Sequence, residues 1–225
     1  MNSKNIFIMI AVVFMAGCSK SDNPDQKPPE HDVYLNTNVG STWTYHEDNS
    51  SSGTTVGSDY TLTSTNTDTS IGSKIYHIFS YSYGGSQYQN LSEHDYYQFD
   101  SIPGSGGITL ERLYLKDNAL EGTSWSQDLS LKIPNLPIPI PLKISNTIAE
   151  KGITRTVKGI AYADVIHVSS SLSSALITSG FTTSIDSYFA PKYGLIENTT
   201  KVDLNFMGLV QKVDLTTQLV SATLK

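Results

Sequence analysis

His46-Glu47-Asp48 and Glu93-His94-Asp95 each set a histidine beside carboxylates, the side chains that metal-ligand or general-base chemistry uses. A helical metal site of the H-E-x-x-H kind needs its histidines at i and i+4, on one face. Neither trio has that spacing. Both lie beside Asn- and Ser-containing stretches, so the sequence predicts solvated loop charges. His77 and His167 fall within strand-like runs, where a histidine is expected to be a hydrogen-bonded sheet residue. A serine on a nucleophile elbow would read G-x-S-x-G, and no such pentapeptide occurs. Gly104-Ser105-Gly106-Gly107 precedes a strand-like run, so it lacks the helix N-terminus that a phosphate-binding loop uses. Nothing local marks the carboxylate pair of a glycosidase. The residue types point to no catalytic centre, no metal and no cofactor.

Cys18 is the single cysteine, so a disulfide within the chain is excluded and thiolate chemistry has no other candidate. Its surroundings assign it a different role. Met1-Asn2-Ser3-Lys4-Asn5 is a short polar start with one positive charge, and residues 6–16 form an uninterrupted apolar run. That run is shorter than the roughly 20 residues a spanning helix requires. A charged start, a short apolar stretch and small residues before a cut site describe an export signal.

The four residues Met15-Ala16-Gly17-Cys18 resemble the lipobox of bacterial lipoproteins. The resemblance implies cleavage after Gly17, with residues 1–17 removed and diacylglycerol placed on the Cys18 sulfur. More than one buried acyl chain makes such anchoring stable. Residues 18–32 are polar, contain Pro24, Pro28 and Pro29, and show no apolar periodicity. They read as a tether that, extended at about 3.1 Å per residue, reaches ~40 Å. Residues 33–225 are then expected to form a single domain. In enteric lipoproteins an Asp directly after the cysteine marks retention at the inner membrane; Ser19 stands there in this sequence, so the lipoprotein resemblance implies the outer membrane, on its periplasmic face or at the cell surface.

Composition narrows the partners. The chain carries 15 basic and 21 acidic residues, net −6, without a Lys/Arg cluster, which argues against a phosphate-tracking surface and hence against nucleic acid. Charged residues make up 16%, against roughly 25% in typical domains. Ser, Thr, Asn and 13 Tyr stand in their place, a mixture that favours strands and turns over helices.

Period-two runs recur along the chain: Trp43-Thr44-Tyr45, Tyr60-Thr61-Leu62-Thr63, residues 75–83, Tyr96-Tyr97-Gln98-Phe99, residues 109–115, Val202-Asp203-Leu204-Asn205-Phe206 and residues 209–224. Turn signals punctuate them at Tyr83-Gly84-Gly85, at 103–107 and at Ser179-Gly180. The expectation is an all-β fold, an antiparallel barrel-like or sandwich domain with at most one short helix. Residues 169–180 carry the one ambiguity, since Leu172, Ala175 and Leu176 also fit helical spacing.

Residues 133–142 combine two opposed tendencies. Prolines at 134, 137, 139 and 141 remove backbone donors and exclude a central strand, yet Leu136, Ile138 and Ile140 between them are large aliphatics. The near-mirror of Leu131-Lys132-Ile133-Pro134 and Pro141-Leu142-Lys143-Ile144 suggests a long hairpin with an apolar tip. Two roles are open: an edge segment folded onto the barrel, or a tip whose Leu136, Ile138 and Ile140 contact ligand, lipid or a partner.

Four further pieces, Gly40-Ser41-Thr42-Trp43-Thr44-Tyr45, Gly122-Thr123-Ser124-Trp125, residues 157–168 and residues 188–196, together resemble a large group of bacterial secreted and lipoprotein domains of unknown function. The resemblance implies an antiparallel, barrel-like domain and brings no catalytic residues. The Pro-rich insertion departs from its pattern. From the residues themselves, Trp43 and Trp125 are expected to anchor the core. The expected function is a lipid-anchored envelope protein, a non-catalytic binding module for a small apolar ligand or envelope component. The alternatives are an accessory that docks another envelope protein, and third a hydrolase.

Overall fold

In the computed structural model, residues 33–101, 109–131, 140–177, 179–206 and 208–225 are described. Alternation of large apolar and polar side chains builds every wall of this structure. In β1 (Thr42–Asn49) Trp43 and Tyr45 turn inward and are buried, while Thr44 and His46 face outward. β8 (Ile140–Val157) opens in the same way, burying Ile140, Leu142, Ile144, Asn146 and Ile148 at every second position. The remaining strands are β2 (Val56–Ile71), β3 (Lys74–Tyr81), β4 (Ser86–Ser92), β5 (Asp95–Ser101), β6 (Thr109–Lys116), β7 (Ser124–Leu131), β9 (Ile160–Ser173), β10 (Phe181–Ala190), β11 (Gly194–Phe206) and β12 (Leu209–Thr223).

All twelve belong to one antiparallel sheet in the order β6-β5-β4-β3-β2-β1-β12-β11-β10-β9-β8-β7. Each strand pairs with its chain neighbour except at one place, so the sheet is a meander curled into a nearly closed barrel, not a sandwich. No helix occurs among the described residues. The first and last of the described strands, β1 and β12, pair in the middle of the order, and the two sheet edges are β6 and β7.

Those edges meet through side chains. Trp125 Nε1 donates to the Leu113 carbonyl at 2.9 Å, Gln127 Nε2 donates to the Glu111 carbonyl at 2.6 Å, and Leu113 N–H donates to Gln127 Oε1 at 3.4 Å. The Gln127 amide thus stands where a neighbouring strand's peptide groups would stand. Trp125, expected as a core anchor, is partly buried against the core and also closes this seam.

One end of the barrel is closed by the segment preceding β1. Tyr34 and Leu35 are buried there. Tyr34 N–H donates to Tyr96 Oη at 3.1 Å, Tyr34 Oη donates to the Asp164 carbonyl at 2.7 Å, and Lys192 N–H donates to the Val33 carbonyl at 2.8 Å. Tyr96 Oη in turn donates to Asp117 Oδ2 at 2.5 Å. Burial and this carboxylate hold the Tyr96 phenol far above its usual range, so it remains a neutral donor. The distal half of the β8–β9 hairpin leans across β10 to β11. There the Arg155 guanidinium lies 3.9 Å from the centre of the Tyr188 ring and pairs with Glu197 at 2.5 Å.

The Pro-rich region forms a hairpin as far as the described residues reach: Leu131 pairs with Ile140 and Ser130 with Pro141. Pro141 therefore stands in a strand, contrary to the expectation from its missing donor. Local geometry resolves the conflict. β8 pairs with β9 only from Lys143 onward, so at Pro141 only the β7 side carries a ladder. The Pro141 carbonyl is met by Ser174 Oγ at 2.7 Å. Proline occupies a strand position beyond the ladder of the other neighbour.

Candidate functional site

Inward-facing residues of this barrel leave a cavity of about 830 Å³, within the roughly 300–1,000 Å³ usual for small-molecule sites. It reaches solvent at Tyr83, which lines it and is 71% exposed. Its floor is set by Leu35, Trp43, Leu62, Phe79 and Phe189, all buried.

The walls differ from side to side. On β1, β2 and β3, tyrosines form a continuous aromatic wall. Tyr45 stacks on Tyr60 with ring centres 5.4 Å apart, Tyr60 meets Tyr81 edge-on at 5.8 Å, and Tyr81 stacks on Tyr83 at 4.9 Å. The cause is period two in adjacent strands, since Tyr45 pairs directly with Tyr60 and Leu62 with Tyr81. Across the cavity Leu129, Ile140, Leu142, Ile144, Ile177 and Leu204 form an aliphatic cluster at the end remote from the floor.

Between floor and aliphatic cluster runs a belt of small uncharged polar side chains. Ser170 Oγ donates to Asn146 Oδ1 at 2.7 Å, Asn198 Nδ2 donates to Ser187 Oγ at 2.8 Å, and Thr200 Oγ1 donates to Asn198 Oδ1 at 2.9 Å. Opposite, Gln87, Gln89 and Gln98 complete the lining. Glu47, Asp59 and Arg112 are the charged residues among the lining, and the Asp59 carboxylate is turned to His46 on the outer face. Burial, reinforced by the neighbouring tyrosines, raises the Tyr45 phenol well above its usual range. Its hydroxyl stays protonated and donates to the Leu195 carbonyl at 2.9 Å. Such a chamber can enclose an apolar body and meet a few neutral polar groups.

A second arrangement has the outline of hydrolytic chemistry. Ser64 Oγ lies 2.8 Å from His77 Nε2, and His77 Nδ1 lies 2.7 Å from Asp68 Oδ1. Those are the contacts of a Ser-His-Asp relay, which is recognised by geometry and not by sequence order. Access decides against a nucleophile here. Ser64 is 1% exposed, and its Oγ is also 2.9 Å from the Thr37 carbonyl. The neighbouring pocket is lined by Asp68 and His77 but not by Ser64. The backbone completes the picture: Gly40 N–H donates to the Ser64 carbonyl and Ser64 N–H to the Ser41 carbonyl, both at 2.9 Å. Ser64 fastens the closing segment to the barrel.

The sequence-derived candidates fare unequally. Cys18, Leu136 and Ile138 lie outside the described residues. Ile140 is turned inward, 4% exposed, and lines the cavity, so it is no part of a projecting surface. His46, Glu47 and Asp48, expected in a loop, are strand residues of β1, because the period-two run extends through them. His46 faces outward onto Asp59 at 2.6 Å while Glu47 faces the cavity. Glu93 and His94 do occupy the β4–β5 turn, with Glu93 at φ 57°. No group of three His, Cys, Asp or Glu able to hold a metal occurs among the described residues. The tyrosine wall and the polar belt were not singled out from sequence. Tyr45 and Tyr60 carried the alternation, but their pairing across strands carries no local signal.

The chain matches no protein family and no curated protein. Two solved structures share its outline. One is described as a candidate lipoprotein of Parabacteroides distasonis, 10% identical, TM-score 0.47, with 85% of this chain and 99% of that one covered. The other is described as a candidate exported protein with YmcC-like fold from Bacteroides fragilis, 8% identical, TM-score 0.40, with 84% of this chain and 98% of that one covered.

Proposed function

We propose that the protein is a non-catalytic binding module of the bacterial cell envelope that takes a small, largely apolar molecule into its barrel. The observation that carries this reading is the cavity of about 830 Å³, open at Tyr83 and walled by tyrosines on one side and aliphatics on the other. A barrel built only for stability would fill that volume with side chains, since protein interiors are close-packed. Enclosure of apolar surface supplies the affinity at about 25 cal/mol per Å² removed from water.

Lipidation at Cys18 and an outer-membrane address belong to the same proposal and rest on Met15-Ala16-Gly17-Cys18 and on the residues that follow. Metabolic labelling with an alkynyl fatty acid tests the first: Cys18→Ser should abolish incorporation, and equal labelling of both forms rejects it. Recovery solely in inner-membrane fractions rejects the second. For the binding function, the full chain purified from its own host should carry a non-covalent organic ligand in native mass spectrometry. Repeated recovery of the empty protein, with no uptake of the dye N-phenyl-1-naphthylamine, rejects the reading.

A further inference from the structure

Strands of an antiparallel meander alternate in direction, so their connections fall at two opposite ends. Residues 71–74, 92–95, 116–124, 157–160 and 190–194 connect the strand ends on the side of the closing segment, and every one of these connections carries a charged residue. The open end differs. Residues 49–56, 81–86, 173–181 and 206–209 connect strands there and contain no Asp, Glu, Lys or Arg. Large apolar and aromatic side chains stand exposed instead: Val56 at 63%, Tyr83 at 71%, Leu176 at 48% and Val210 at 70%. Ile75, Leu120 and Ile160 are exposed on the other side, but Lys74, Glu121 and Lys158 share their turns.

Shape and charge together decide what such a rim meets. Val56 opens β2, Tyr83 lies in the β3–β4 turn, Val210 is in β12 and Leu176 lies between β9 and β10, so the four are spread round the mouth. A protein partner covers a compact patch with a polar margin, in which Arg is enriched. A bilayer offers a plane that meets a whole rim at once, and it penalises any charge drawn out of water. Tyrosine is a side chain that settles at the membrane–water interface.

The outer wall limits the depth. Asp48 is in register with Gly57, one residue below Val56, and Asp203 faces Lys212 two residues below Val210. At about 3.4 Å per residue, charge begins ~3–7 Å beneath the rim, which permits contact with headgroups and the upper edge of the acyl layer. Residues 18–32, read as a tether of ~40 Å, enter at Val33 on the closed side. β1 has eight residues, a length of about 26 Å, so that tether lets the rim turn to the membrane that holds Cys18.

We propose that the open end of the barrel is a membrane-docking collar: Val56, Tyr83, Leu176 and Val210 enter the headgroup layer of a phospholipid bilayer and set the cavity mouth against it. The collar stands on the rim alone and does not require the cavity to be filled.

The test uses the full lipidated chain, methyl-labelled at Leu and Val, in phosphatidylcholine nanodiscs. Part of the lipid carries a nitroxide on the acyl chain close to the headgroup. The methyl signals of Val56, Leu176 and Val210 should broaden, and that of Leu120, exposed on the closed side, should stay sharp. Changing Val56→Asp together with Val210→Asp alters two exposed side chains, so the melting temperature should hold while Leu176 loses its broadening. Leu120→Asp should leave the rim signals broadened. Equal broadening of Leu120, or none at the rim, overturns the collar, as does a double variant in which Leu176 stays broadened. Rim signals that ignore the nitroxide but shift when a disc holds two copies instead of one assign the rim to a second copy of this chain and overturn the lipid reading. All of these outcomes leave the binding function standing, since native mass spectrometry tests it separately.

Discussion

Gln127 Nε2 donates to the Glu111 carbonyl across the one break in the barrel's order of paired strands, at 2.6 Å. The same amide accepts from Leu113 N–H at 3.4 Å, so it engages both backbone groups flanking Arg112 on β6. A glutamine side chain carries a donor and an acceptor on one planar amide, as the backbone does. Gln127→Ala leaves two partly buried backbone groups unmatched, at roughly 1–3 kcal/mol. For a unit of this size the melting temperature should fall by about 2–12 °C. Gln127→Glu retains only the acceptor and should recover part of the loss. An unchanged melting temperature in Gln127→Ala would show that the seam is held by Trp125 alone.

The contacts of Ser64 yield a prediction that separates fastening from catalysis. Ser64→Ala removes the hydroxyl that Thr37 and His77 share, at a cost of about 1 kcal/mol, or ~2–4 °C in melting temperature. Hydrogen exchange at the Gly40 amide, which donates to the Ser64 carbonyl, should quicken as the closing segment loosens. A fluorophosphonate probe should leave the wild-type chain unlabelled. Labelling that disappears in Ser64→Ala would instead make Ser64 a nucleophile and restore the hydrolase reading.

Legibility followed the range of each interaction. The period-two runs at Trp43–Tyr45, Tyr60–Thr63 and Val202–Phe206 fell inside β1, β2 and β11, because in-and-out alternation is a local property of strands packed on one side. The turn at Tyr83-Gly84-Gly85 was legible too, and Gly84 adopts φ 96° between β3 and β4. What stayed hidden depends on pairing between distant segments. Nothing near Ser64 announces His77, because the contact passes between two strands across a register shift in β2. Nothing near Gln127 announces an unpaired β6 edge. The cavity is the extreme case, since it is a volume left over between strands that run from β1 to β12.

His46 provides a pH test on the outer face. Its hydrogen bond to the Asp59 carboxylate, at 2.6 Å, raises the imidazole above its ordinary range, with Asp48 adding to the effect and Lys158 opposing it. A histidine whose pKa is raised by folding stabilises the fold in its protonated form. That contribution is complete below the ordinary histidine pKa of about 6.5 and is lost as pH rises through the raised value. Asp59→Asn should lower the His46 pKa in an NMR titration and flatten this part of the stability–pH curve. An identical titration in both forms would show that Asp59 is not the cause.

Ile140 and its neighbours in sequence, Leu136 and Ile138, were candidates for one shared contact surface, and of the three Ile140 alone lies among the described residues. Ile140 belongs to the cluster of Leu129, Leu142, Ile144, Ile177 and Leu204 and faces the cavity. Burying such a side chain is worth roughly 1.5–3 kcal/mol, so Ile140→Ser should lower the melting temperature by about 3–12 °C. The same change puts a hydroxyl on the aliphatic wall and should weaken uptake of N-phenyl-1-naphthylamine. A double change, Leu136→Ser with Ile138→Ser, tests the surface reading apart from the core. Those two side chains are expected to contact lipid or a partner, so the double variant should keep its melting temperature and lose binding to liposomes. A fall in melting temperature as large as that of Ile140→Ser would assign Leu136 and Ile138 to the core as well. The contact reading would then lapse for all three, leaving the cavity as the site where this region acts.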